Sequence, residues 1–312
     1  MAIPQYNVEE LIENIKRRCS VPTSQMTYTN ADFAALANDE LQGEVVPLIM
    51  STREEYFVTY VDRLTTASGQ IDIPEDAVGS KLRAVHYVQQ ANPLVVANLP
   101  LLNLDTIAGV GPSTLQTFAG FYVQGDKLML WPNNSVAPNS TIRLYYCKRT
   151  LVLADQSNYG QVTSVDPNTN TVVLSFVPSA WTTGTKLNSV GSRPPFELTN
   201  AELTVVTASN PSIILDSVEG IEVGDYISEM GFSAVPQVPI EAHPYLAQLT
   251  AIKCLEGLGD RAGMEAAQAK ADILKTALLI MISQRVDGSV KKIVNPTGGL
   301  RIGSGIWRRG GF

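Results

Sequence analysis

VTSVDPNTNTVVLSFVPSAWTTGTKLN, residues 162–188, returns in altered form as VTASNPSIILDSVEGIEVGDYIS, residues 206–228. Val162-Thr-Ser-Val-Asp matches Val206-Thr-Ala-Ser-Asn, and Val172-Val-Leu matches Ile213-Ile-Leu. Val177 matches Val218, and Gly184-Thr-Lys-Leu-Asn matches Gly224-Asp-Tyr-Ile-Ser. The offsets are 44, 41, 41 and 40 residues, so the second copy has the shorter turn. Each copy reads as strand, turn, strand, loop, strand. Two copies are too few for a solenoid or propeller, where at least three units stack. The stretch 162–231 is therefore expected to be a small duplicated β-module.

The β character spreads outward from this module over about residues 65–240. Phe121-Tyr-Val-Gln-Gly-Asp-Lys-Leu-Met-Leu reads as a hairpin with Gly125-Asp126 at its tip. Thr141 to Lys148 reads as a strand, with Tyr145 and Cys147 on one face and Leu144 and Tyr146 on the other. Both chain ends are helical instead. Asn7 caps a first helix whose stripe is Val8, Leu11, Ile12, Ile15 and Cys19, with Lys16, Arg17 and Arg18 at the end that favours cations. A second helix is expected to start at Asn30 and to kink at Pro47, whose ring conflicts with the carbonyl of Gly43. After Pro239 the helical period returns through Leu246, Leu249, Ile252 and Leu255, and Asp260 opens a longer helix towards Gln284. That helix is alanine-rich first (Ala262, Ala266, Ala267, Ala269, Ala271) and bulky later (Ile273, Leu274, Leu278, Leu279, Ile282). The expected fold class is α+β: a helical bundle from residues 1–65 and 240–287, an inserted β-rich region at 66–239, and an extended C-terminal arm at 288–312.

Composition narrows the function. Charged residues make up 17% of the chain, against about 25% in ordinary globular proteins. Part of the surface is either packed against other subunits or made of neutral polar groups. With 45% hydrophobic residues, wholesale disorder is excluded. No apolar run approaches the roughly 20 residues that span a bilayer, and no signal peptide is visible, so a soluble protein made inside the cell is expected. Cys19, Cys147 and Cys254 are far apart and odd in number, which argues against a disulfide framework. Charge is also uneven. Residues 285–312 hold six basic side chains and one acid, a net +5, which leaves −12 of the total −7 for the rest. An acidic body with a basic, glycine-rich arm suggests an arm that reaches an acidic partner.

The search for reactive chemistry finds little. His86 sits in a strand and His243 at a helix start, and no Cys or His pair has zinc spacing. Gly109-Val-Gly and Gly298-Gly-Leu-Arg-Ile-Gly-Ser-Gly lack the strand–helix setting and lysine of a phosphate loop. Asp166-Pro-Asn-Thr-Asn reads as turn chemistry, since no glutamate closes a calcium loop. The expectation is a protein that is not an enzyme, with no catalytic, cofactor-binding or metal residues nominated and no cofactor. Basic and aromatic residues are not interleaved as a nucleic-acid groove requires.

Three stretches carry a resemblance to a family. The first is Tyr28-Thr-Asn-Ala-Asp-Phe through Asn38-Asp-Glu-Leu-Gln-Gly-Glu-Val-Val-Pro-Leu-Ile-Met, then Arg53-Glu-Glu-Tyr-Phe and Ile73-Pro-Glu-Asp-Ala-Val-Gly-Ser-Lys-Leu-Arg. The second is Gly120-Phe-Tyr-Val followed by Ile142-Arg-Leu-Tyr-Tyr. The third is Val223-Gly-Asp-Tyr-Ile, His243-Pro-Tyr-Leu-Ala-Gln and Lys253-Cys-Leu-Glu-Gly-Leu-Gly-Asp. Together they resemble the head-to-tail connector, or adaptor, proteins of tailed bacteriophages, especially short-tailed ones. The resemblance implies a structural virion protein, made in the host cytoplasm and placed at the head–tail interface. It implies self-association in a ring of twelve copies that closes the head after packaging, lines a channel for genomic DNA, and binds the portal protein above and a tail nozzle or tube protein below. No membrane partner is implied. In such proteins a C-terminal arm inserts along the portal; here Arg301, Ile302, Ile306, Trp307, Arg308, Arg309 and Phe312 are the candidate arm residues, chosen for their anchor chemistry rather than a family motif. The alternative is a tail receptor- or carbohydrate-binding protein, suggested by the duplicated β-module.

Overall fold

The two copies of the repeat do not fold side by side as separate units; they interlock. The structure, a computed structural model, describes residues 6–20, 27–90, 94–103, 120–132 and 139–283. In the first copy the strands are β9 (Tyr159–Asp166), β10 (Thr171–Leu174) and β11 (Lys186–Val190). In the second they are β12 (Leu198–Ser209), β13 (Ser212–Leu215) and β14 (Tyr226–Glu229). They close a barrel in the order β10-β13-β12-β11-β14-β9. Exchanging the copies (β9 for β12, β10 for β13, β11 for β14) maps this order of pairings onto itself, so the barrel has a pseudo-twofold axis. Closure also removes the unpaired edges that either copy alone would expose.

The interior follows the same symmetry. Val172, Leu174, Val177 and Leu187 are buried in one half, and Ile213, Leu215, Val218 and Ile227 in the other. One correspondence read from the sequence shifts by a residue. Val206, matched there to Val162, is 47% exposed, while Val205 is buried and takes the inward place. Both copies carry the same register shift, across Thr163 in β9 and across Val206 in β12, so Val205 is the structural counterpart of Val162 and the sequence matching is one residue out. Asp166 makes the expected turn: its carboxylate accepts from Asn168 N at 3.0 Å and from Thr169 Oγ1 at 2.8 Å.

Gly160, in β9, has no room for a side chain. A Cβ there would run into the carbonyl oxygen of Phe176 and lie 3.1 Å from Leu174 Cδ1. Gly160→Ala is therefore expected to cost about 1–3 kcal/mol, because backbone has to move. Gly257→Ala, whose methyl would meet only the movable hydroxyl end of Tyr28, should cost less. Urea unfolding of the two variants checks the order.

A second β layer precedes the barrel. β1 (Val58–Leu64), β3 (Ala77–Gln90), β4 (Val95–Leu99) and β7 (Thr141–Lys148) form a sheet in the order β1-β7-β3-β4. β2 (Gln70–Asp72), β5 (Gly120–Gln124) and β6 (Lys127–Trp131) form another, with the two-residue Gly125-Asp126 turn joining β5 to β6. The sheets share a core of Ile71, Val85, Leu128, Leu130, Ile142 and Leu144. β7 faces two ways: Leu144 and Tyr146 belong to this core, whereas Cys147 turns to the helices. A short parallel pair, β8 (Val152–Leu153) with β15 (Phe232–Ser233), ties the layer to the barrel exit.

The helices form the third layer. α1 (Val8–Cys19) is capped by Asn7 and buries the expected stripe of Val8, Leu11, Ile12, Ile15 and Cys19. α2 (Asn30–Glu40) starts one residue earlier than the sequence suggests: Thr29 is its cap, in a reciprocal box with Asp32. A π-helical turn at Leu41–Val45 leads into α3 (Val46–Arg53). The N–H of Val46 reaches back five residues to the carbonyl of Leu41, so the extra residue is absorbed just before Pro47. α4 (His243–Leu258) runs through the centre, and α5 (Arg261–Ile282), capped by Asp260, packs on its outside.

The expectation of a helical bundle with an inserted β region is corrected here. Strand takes 36% of the described residues and helix 34%, and the β part holds a closed six-stranded barrel. The chain is β-rich, and the barrel and the paired sheets have cores of their own rather than hanging as an insert on the helices. Among the described residues no helix is long and apolar enough to cross a membrane.

Candidate interaction surface

α4 is buried on nearly every side, from Tyr245 through Ile252 and on to Cys254 and Leu255. A helix apolar all round belongs in the middle of a layer. α5 lies against it through Ala267, Ala271, Leu278 and Ile282, one stripe at helical spacing. Met264 and Leu274, at its edges, pack partly against the same core.

The sequence supplies a second stripe. Ala262, Ala266, Ala269, Ile273, Ala277 and Ile280 recur at threes and fours on a line roughly 150° round the helix from the buried stripe, at 100° per residue. No charged residue lies on that line; Arg261, Glu265, Asp272 and Lys275 fall on one flank between the two stripes, and Lys270 on the other flank, next to Ala277 and Ala266. Ile273 is 69% exposed and Ile280 55%. α5 thus carries one apolar face more than a lone subunit can bury.

Its rotation is held by a polar knot. The Tyr245 hydroxyl donates to Glu44 of the π turn, and Lys275 Nζ donates to the same carboxylate at 3.2 Å. Burial pushes the Glu44 carboxyl up, but the hydrogen bonds from Tyr245 and Lys275 and the lysine charge outweigh it and hold it below the usual range. One carboxylate therefore joins the π turn, α4 and α5, and keeps the second stripe turned outward.

The residues singled out from the sequence are not gathered into one place. His86 is on β3 and packs beside Tyr145, the rings tilted at 60° with centroids 5.1 Å apart. His243, at the start of α4, lies against Phe196 from the β11–β12 loop, at 5.7 Å, and its Nε2 donates to Pro236 O at 3.2 Å. Among the described residues no three His, Cys, Asp or Glu side chains are grouped as metal ligands. Arg301, Ile302, Ile306, Trp307, Arg308, Arg309 and Phe312 lie outside the described residues. The residues that sequence reading missed are Ile273 and Ile280. Their signal was present, since an α5 apolar on two separated lines needs two partners.

His243 makes the fold acid-sensitive. Burial lowers its pKa from the usual 6.5 to about 4, against the weaker pull of the Pro236 and Val238 carbonyls. Between those values the unfolded chain binds a proton that the folded chain refuses. Stability is complete above about pH 6.5 and falls as pH drops towards 4, by about 2 kcal/mol once water at the ring edge is allowed for. His243→Gln should flatten this part of a pH–denaturation curve; an unchanged slope would contradict the assignment.

The sequence matches no protein-family model and no curated protein, so the function has to be argued from these residues.

Proposed function

We propose that the chain is a structural protein of a tailed-phage particle, a head-to-tail connector that assembles as a ring between portal and tail. The observation that carries this reading is the second apolar stripe of α5. In a ring every subunit presents one surface forward and a different one back, so a patch complementary to another part of the same molecule closes on itself. A charge-free stripe about 27 Å long, at 1.5 Å per residue, suits such a repeated contact. The low charge content and the resemblance of residues 28–260 to connector proteins support the same reading.

The ring of twelve encloses the channel through which DNA leaves. The −12 carried outside residues 285–312 would make its wall repel the phosphate backbone, so that DNA slides without sticking. The arm at 288–312 docks on the portal: Trp307 and Phe312 supply apolar anchors, and Arg301, Arg308 and Arg309 pair with carboxylates. Ordering the arm costs about 1–2 kcal/mol per residue fixed, so several anchors are needed together.

Deleting residues 300–312 tests the reading. The truncated protein should fold and remain in solution but fail to join heads in a reconstitution with purified portal. Truncated protein that completes particles at normal yield would contradict it.

A further inference from the structure

The sheet β1-β7-β3-β4 turns one face to the core it shares with β2, β5 and β6; the other points outward, and the register fixes what it carries. Tyr60, Tyr145 and Ala84 stand opposite one another across β1, β7 and β3. Asp62, Arg143, His86 and Asn98 form the next row on that face. Beyond them Leu64 pairs with Thr141, and Val88 with Val96. Tyr60 is 53% exposed, Leu64 62% and Val96 38%, and none of the side chains in these rows belongs to a core of the subunit. The charges of the face cancel within it. Arg143 donates to both carboxylate oxygens of Asp62, at 2.7 and 2.8 Å, and its guanidinium lies 4.2 Å from the Tyr60 ring centroid. Tyr145 continues the aromatic row, its centroid 5.6 Å from Tyr60 and 5.1 Å from His86. A bidentate pair already has its partners, so covering it strands no charge.

We propose that this outward face is the seat of the second α5 stripe of the neighbouring copy, which makes the ring contact a helix laid on a sheet. The inference rests on the ring reading above and adds the receiving surface. A head-to-tail contact joins two different patches of one molecule; α5 supplies one and the sheet the other. Neither the α5 line nor the sheet rows carry an unpaired charged side chain, so neither buries a lone carboxylate or ammonium when they meet. Their dimensions agree. Ile273 and Ile280 stand about 10 Å apart along the helix, at 1.5 Å per residue. The rows from Tyr60 to Leu64 span about 13 Å along the strands, and the four strands about 14 Å across them, so both isoleucines land on one face. A helix stripe and an open sheet face are also surfaces that layered folds bury against each other.

Introduced cysteine pairs read the contact directly, since Cys19, Cys147 and Cys254 are buried. Full chains carrying Ile280→Cys are mixed with full chains carrying Tyr60→Cys, Leu64→Cys, Ala84→Cys or Val96→Cys, the corners of the face, then allowed to assemble and oxidised. At least one corner should give a species of twice the subunit mass on a non-reducing gel, because a disulfide forms only where the Cα atoms come within about 7 Å. The corner that links gives the direction of the helix. Val206→Cys, on an exposed part of the barrel, should not link to Ile280→Cys, and Ile280→Cys should not link to itself. Assembled chains that link at no corner, that link as readily through Val206→Cys, or that join Ile280→Cys to itself overturn the proposal. So do rings in which all four corner thiols stay open to alkylation, which would leave the face to a different partner. Unsubstituted chains that stay single subunits at every concentration overturn the ring reading, and this inference with it.

Discussion

Ile273→Asp combined with Ile280→Asp is expected to turn assembled rings into single subunits that keep their fold. In the isolated chain both side chains already face water, so the substitutions should change its stability by no more than about 0.5 kcal/mol. In the ring each isoleucine loses that water. Burying one such side chain contributes about 1.5–3 kcal/mol, and a carboxylate left unpaired in the same place opposes association instead. The penalty recurs at every contact round the ring. Sedimentation should show a single subunit mass at concentrations where the unsubstituted chain assembles, with unchanged circular dichroism. Double-variant rings of normal size would remove α5 from the interface.

Phe196→Ala is expected to cost about 3–5 kcal/mol, the range for truncating a buried aromatic. Phe196 is 1% exposed and is the main side chain by which the barrel loop reaches the helices, edge-on to Tyr6 at 5.9 Å and stacked on His243. The loss should also show at His243. Water entering the vacated space relieves the desolvation that depresses its pKa, so the value should move from about 4 back towards 6.5. Urea unfolding measures the first effect and imidazole titration by NMR the second. A large stability loss with an unmoved His243 would mean that Phe196 packs the loop without drying the histidine.

How far the fold was legible depends on the range of each interaction. The α1 stripe and its Asn7 cap, the β5–β6 turn and the strand at Thr141–Lys148 are set by neighbours within a few residues, and they were readable. The cap of α2 moved to Thr29 because threonine next to asparagine offers two capping side chains, and the box with Asp32 decides between them. Barrel closure was not readable. It depends on β10 meeting β13 and β14 meeting β9, pairings between the copies that leave no mark in either copy's alternation. The one-residue slip in matching the copies has a related cause: Val205 and Val206 are identical, and only packing chooses which points inward. Weighing the strongly periodic helices above these short strands made the chain look like a bundle. The outward turn of the second α5 stripe is likewise tertiary, although the doubled apolar line on α5 is countable in the sequence.

Electron microscopy of the purified chain, and of the particle that contains it, tests the central claim most directly. The predicted result is a ring of high rotational symmetry, twelve copies round, with Ile273 and Ile280 of each α5 buried against the next subunit. Trimers, as expected of a receptor- or carbohydrate-binding tail protein, or single subunits with α5 open to solvent in the particle, would contradict it.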